Sequence, residues 1–150
     1  RLPDSCWSLY CSRAYAKTYG APRSIDDLDD HLLILGEGAL AKHPGMVWLR
    51  RSAPGADVAC RSNTLQNLYS LIKDGAGVSI MPCLVGEADK TLMRCISPPA
   101  ELRSQCWLIY HESLRRMPHV RVFIEALVTE IERRRPLLTC STAKSAHLQR

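Results

Sequence analysis

Residues 57–82 read DVACRSNTLQNLYSLIKDGAGVSIMP. Residues 58–60 are a short apolar run, and Leu65, Leu68, Leu71 and Ile72 then recur at helical spacing. Residues 78–81 are a second apolar run, closed by Pro82. Asn63 suits a helix N-cap, with Gln66 three residues later in the manner of a capping box. Gly75 and Gly77 suit a left-handed C-terminal turn. The pattern predicts strand, helix, strand. Two neighbouring parallel strands need a crossover of about this length, and such crossovers are right-handed.

The geometry bears on function. In an open α/β sheet, ligands bind outside the carboxyl ends of the strands. A helix that starts there presents free backbone N–H groups and the positive end of its dipole. Arg61, Ser62, Asn63 and Thr64 lie at that junction, and the last three add short polar side chains. They make a seat for a small anion such as a carboxylate. The plainer alternative is that they only cap the helix, since these are the preferred capping residues.

A chain of 150 residues, 46% hydrophobic and 23% charged, suits one soluble domain with a real core. No apolar run approaches a membrane span, and no signal peptide opens the sequence. The first residue is Arg, which suggests a fragment. The seven cysteines are Cys6, Cys11, Cys60, Cys83, Cys95, Cys106 and Cys140, with no CxxC pair. A metal site or a disulfide framework favours tighter spacing, so buried free thiols in a reducing compartment are expected. The net charge of +5 comes mainly from the last segment, with Arg115, Arg116, Arg121 and residues 133–135. Cations suit a helix C-terminus, and no aromatic interleaving accompanies them, so direct nucleic-acid binding here is disfavoured.

Working outward, residues 6–11 read as a strand with Trp7, Leu9 and Cys11 on one face. Ser12 caps a helix over 13–19, ended by Gly20 and Pro22. Ser24 and Asp27 fit a second capping box, predicting a helical turn or two over 25–30. Residues 32–35 read as a buried parallel strand, whose end at Gly36-Glu37-Gly38 can share the ligand-facing edge. Pro44 opens a helix through Ser52. Further predictions are a helix over 83–89, strands over 92–96 and 105–110, and a long helix from Pro118 to about Arg134, ended by Pro136. Residues 136–150 read as a disordered tail. Strands alternating with helices argue an α/β fold.

Three stretches, in order, resemble the effector-binding domain of LysR-type transcriptional regulators. They are LYCSRAYAKTYGAPRSIDDLDDH, SNTLQNLYSLIKDGAGVSIMP and LIYHESLRRMPHVRVFIEAL, together about residues 5–134. The resemblance implies a periplasmic-binding-protein-like (type II) lobe with a mixed, mainly parallel sheet flanked by helices. Residues 1–135 would be a partial effector-binding domain, with the second lobe over about 5–111 and a return helix over about 117–134. It implies a small, anionic effector held between two lobes, with contacts from Ser62, Asn63 and Thr64. Leu35, Gly36, Met81 and Pro82 are further candidates by position. It also implies a homo-oligomeric parent that reaches DNA through an N-terminal winged helix-turn-helix absent from this chain, in the cytoplasm and off the membrane. No cofactor, metal or catalysis is implied.

The apolar stripe of 118–134 (Val120, Phe123, Ile124, Leu127, Val128, Ile131) exceeds what one lobe covers, so it should be exposed or meet a second chain. Two other classes remain in view. One is a transport-type solute-binding lobe, which favours an export signal and fewer free thiols. The other is a Cys–His hydrolase using Cys11 or Cys83 with His31, His43, His111 or His119, for which no local nucleophile signature exists.

Overall fold

The computed structural model describes residues 1–139. In chain order the elements are β1 Ser5–Ser12, α1 Arg13–Tyr19, β2 Leu33–Gly36, α2 Pro44–Ser52, β3 Val58–Ser62, α3 Leu65–Lys73, β4 Ser79–Pro82, α4 Cys83–Ala88, β5 Leu92–Arg94, β6 Arg103–Ser104, α5 Pro118–Arg133 and α6 Arg135–Leu138.

The apolar run of β2 is buried at all four positions, as a strand enclosed by neighbours must be. It pairs in parallel with β3, from Leu33 opposite Val58 to Gly36 opposite Ser62. Its other edge meets Val78, whose N–H donates to the Leu32 carbonyl at 2.8 Å and whose carbonyl accepts from Ile34 N at 2.9 Å. The Ser79 hydroxyl adds a 2.6 Å bond to the Ile34 carbonyl. So α3 does link two parallel segments, but they are not neighbours: β2 lies between them. Spacing along the chain specifies that a crossover exists, not which strand fills the gap.

The other half of the sheet is antiparallel and centres on β1. It pairs with β4 from Trp7 opposite Pro82 to Tyr10 opposite Ser79. On its far edge it pairs with β5, Tyr10 facing Arg94 and Ser12 facing Leu92. Near its start β6 joins, Cys6 facing Arg103. The sheet is thus mixed, with its parallel character confined to the β3–β2–Val78 half. Because α1, α3 and α4 all pack on β1, Tyr10 is as buried as Leu9 and Cys11, rather than one face alone being covered.

Helix α3 holds this assembly by Leu68 and Ile72, both fully buried. Each contributes about 1.5–3 kcal/mol by leaving water. Gly75 ends the helix with φ of +81°, the left-handed turn expected. Gly77 serves differently: a Cβ there would stand 2.5 Å from the Leu32 carbonyl oxygen, so the bare backbone permits the approach to β2.

Ser12 caps α1 by accepting from Tyr15 N at 3.0 Å. The turn over Asp26–Asp30 is 3-10, and only half of the expected box forms: the Asp27 carboxylate accepts from Ser24 N at 3.0 Å, without a cap from the Ser24 side chain. Glu87 and Arg94 pair at 3.4 Å inside the protein, and Tyr10 donates to the same carboxylate at 3.0 Å. A buried pair needs such extra hydrogen bonds to offset its lost hydration.

Three expectations are corrected. Residues 105–110 form no strand; Trp107 is 58% and Ile109 87% exposed. The run makes one backbone bond to a neighbouring segment, from Leu2 N–H to the Cys106 carbonyl at 2.9 Å, and one bond is not a ladder. The tail does not begin at Pro136: α5 ends at Arg133 as expected, and Pro136 then occupies the first turn of α6, where no N–H is required. Cys83 is disulfide-bonded, while Cys6, Cys11, Cys60, Cys95 and Cys106 are free. Closeness in space, which spacing along the chain does not report, decides such bonds. Residues 140–150 of the expected tail lie outside the described residues.

No residue of α5 is buried, and Val122 and Phe123 are 65% and 66% exposed. Its basic end is answered locally: Arg133 and Arg134 pair with Glu130, and Arg135 with Glu132.

Candidate functional site

Parallel β2 and β3 end side by side at Gly36 and Ser62. The Glu37 N–H donates to the Ser62 carbonyl at 2.8 Å, which carries the junction one residue beyond the ladder. Above this edge is an open cavity of about 410 Å³, lined by Glu37, Arg61, Ser62, Asn63, Asn67, Ser70 and Leu71. One wall is the strand end and the other is the first two turns of α3.

The helix start is one residue later than the sequence suggests. Thr64 is the N-cap, and its hydroxyl accepts from Asn67 N at 3.2 Å. Asn63 is not the cap, because β3 runs on through Ser62 and the extended backbone persists to Thr64. Ser62 is 4% exposed; its hydroxyl donates to the Thr64 carbonyl at 2.9 Å and accepts from Thr64 N at 3.3 Å. Both hydroxyls are thus spent on shaping the turn. What faces the cavity in a form open to a ligand is the exposed Asn63 amide, the Arg61 guanidinium, the Glu37 carboxylate and Asn67.

Of the seven residues expected at the site, Ser62 and Asn63 line the cavity, and Thr64 caps the helix without entering the lining. Leu35 and Gly36 belong to the strand beneath; the Gly36 N–H points at the Met46 sulfur, 3.3 Å away. Met81 and Pro82 pair with Ser8 and Trp7 of β1 and are not in the lining. Asn67, Ser70 and Leu71 complete the cavity, one turn and two turns into α3. The helical period alone places 67, 70 and 71 on one side, so that part of the signal was present in the sequence.

The Cys–His pairing of a hydrolase does not form among the described residues. His31 Nδ1 contacts the Tyr15 hydroxyl at 3.1 Å, and His43 Nδ1 accepts from Gly45 N at 3.2 Å while its ring stands 4.0 Å from that of Trp7. Burial lowers the His43 pKa. His111 Nδ1 meets the Ser113 hydroxyl at 2.7 Å. Cys11 instead contacts Cys95. No cluster of metal-ligating side chains occurs among the described residues, and none of their helices is long and apolar enough to cross a membrane.

The mixed α/β sheet, with a cavity at the ends of its parallel strands, fits the type II periplasmic-binding-protein-like fold of the family it matches. The chain belongs to the LysR substrate binding domain family, whose profile matches residues 1–132. The regulatory domain of CrgA, a LysR-type transcriptional regulator from Neisseria meningitidis, is similar in structure, with a TM-score of 0.60 at 20% identity, over 87% of this chain and 66% of that one. The regulatory domain of AphB from Vibrio vulnificus gives 0.60 at 21% identity, over 87% and 67%. The effector domain of AmpR from Pseudomonas aeruginosa gives 0.56 at 17%, over 89% and 65%. The chain therefore spans about two thirds of these domains, and 46% of the chain in a second CrgA structure. Among curated protein sequences, none matches.

Proposed function

We propose that the chain is the second lobe of the effector-binding domain of a LysR-type regulator, and that the cavity over Glu37, Arg61 and Asn63 is its half of the effector site. The observation that carries the reading is the position of that cavity, at the carboxyl ends of parallel strands and the start of α3. Arg61 and the helix N-terminus favour an anionic group. Glu37 on the same cavity favours a donor. The ligand class is a small carboxylate that also carries an amine or hydroxyl. Leu35, Gly36, Met81 and Pro82 act behind this surface, supporting it. Residues 5–111 form the lobe, and α5 returns toward a first lobe supplied by the parent protein, which would cover Phe123 and its neighbours. The parent would be a homo-oligomer that contacts DNA through a separate winged helix-turn-helix, in the cytoplasm, and no catalysis is assigned to this chain. An in-frame winged helix-turn-helix in the upstream coding sequence supports this; an upstream export signal overturns it.

A thermal-shift panel of small acids, with and without amine or hydroxyl groups, tests the site. A ligand raises the melting temperature by mass action. The combined Arg61→Leu and Asn63→Leu variant should lose that shift while retaining the unliganded melting temperature. An unchanged shift removes the cavity from the reading.

One observation favours the alternative, a transport-type solute-binding lobe. Cys83 is disulfide-bonded, and stable disulfides belong to oxidising compartments. Fractionation of the parent protein separates the two: a periplasmic location selects the transport reading.

A further inference from the structure

We propose that Cys11 and Cys95 are a thiol pair that closes into a reversible disulfide when the protein meets a peroxide. Cys11 lies in β1 opposite Met93, and Cys95 follows β5, its N–H donating to the Leu9 carbonyl at 2.8 Å. The two cysteines are therefore diagonal neighbours on one face of adjacent antiparallel segments, within reach of each other. The Cys95 thiol donates to the Cys11 sulfur at 3.5 Å. Both are free. A disulfide is about 2.05 Å long, so the sulfurs need approach by only about 1.5 Å.

Their settings differ in a way that suits the chemistry. Cys11 is fully enclosed, while Cys95 is half-buried beside a three-residue strand. Cys95 is thus the less enclosed residue of the two, with its resolving partner already in contact. The Cys95 S–H holds the Cys11 thiol below the ordinary thiol range, and the same contact, with burial, pushes Cys95 up. At Cys60, by contrast, burial only raises the thiol.

The Cys95 thiol gives its proton to solvent, and its sulfur attacks one oxygen of hydrogen peroxide. The O–O bond breaks, and the hydroxide released becomes water by taking up the proton the pair had given to solvent. Cys95 is then a sulfenic acid. The Cys11 sulfur attacks it, the S–O bond breaks, the S–S bond forms, and the hydroxyl leaves as water with the Cys11 proton. Two sulfurs lose two electrons in all, and the peroxide gains them. A dithiol reverses the bond by exchange.

The test uses the reduced full-length chain, one to a few equivalents of hydrogen peroxide, blocking with N-ethylmaleimide, digestion and mass spectrometry. The expected product joins the peptides carrying Cys11 and Cys95, disappears with dithiothreitol, and is absent from Cys95→Ser and Cys11→Ser. Cys11 is in the core and its variant can fail to fold, so Cys95→Ser with an unchanged far-UV spectrum decides the matter. The proposal is overturned if both thiols still take maleimide in denaturant after Cys106 has been oxidised. It is also overturned if Cys95 ends as unlinked sulfinic acid, or if linkages to Cys60 or Cys106 form in comparable yield.

Discussion

The Asp89 carboxylate collects the Tyr69 hydroxyl at 2.5 Å, the Thr91 hydroxyl and N–H at 2.7 and 2.8 Å, and the Lys73 ammonium at 3.2 Å. The Tyr69 hydrogen bond, then those from Thr91, hold its pKa far below the usual carboxylate range. A depressed folded pKa stabilises the protein above the unfolded carboxylate value, and that stability fades as pH falls toward the folded one. Tyr69→Phe should therefore lower the melting temperature at neutral pH, with the gap to wild type narrowing below about pH 4. A gap constant down to the most acid pH would show that Tyr69 acts by packing alone. At the helix start, Thr64→Ala should cost about 1 kcal/mol, a loss of some 2–4 °C, because the Asn67 N–H loses its acceptor. Asn63→Ala should stay within about 0.5 kcal/mol, as an exposed side chain outside the cap. Ser62, Asn63 and Thr64 are all good caps by type. Composition alone cannot choose among them; the length of β3 does.

At the scale of elements, the helices α2, α3 and α5 are legible because their apolar residues recur at helical spacing and Pro44, Gly75 and Pro118 mark their ends. Residues 105–110 misled for the converse reason. An apolar run of strand length reports a wish to be covered, not the presence of a partner to cover it. That run and α5 together leave Trp107, Ile109, Val122 and Phe123 open to water. Faces of this kind drive association. Sedimentation velocity of the isolated chain should show a coefficient that rises with concentration, and Phe123→Asp should abolish the rise without lowering the melting temperature. A wild-type chain that stays monomeric at all concentrations would contradict this.

For the whole molecule, the α/β class and the edge that carries the cavity could be read from β3, α3 and β4, since one crossover orients everything attached to it. The order of strands could not. β2 enters between β3 and Val78, and β1 enters between β4 and β5, through contacts distant in sequence. The cavity was half legible for the same reason: Ser62 and Asn63 announce a strand-to-helix junction, while Glu37 joins it only because β2 is the neighbour of β3.

The central place of β1 also sets a timetable for synthesis. Its eight residues are translated well before its partners in β4 and β5, which run from Ser79 to Arg94. At about 5–20 residues per second, roughly 4–16 s separate the making of β1 from that of β5, leaving an apolar strand unsheltered on the ribosome. A nascent chain stalled before residue 79 should leave the β1 amides open to hydrogen exchange, and holding chaperones should prefer that stretch until translation has passed β5.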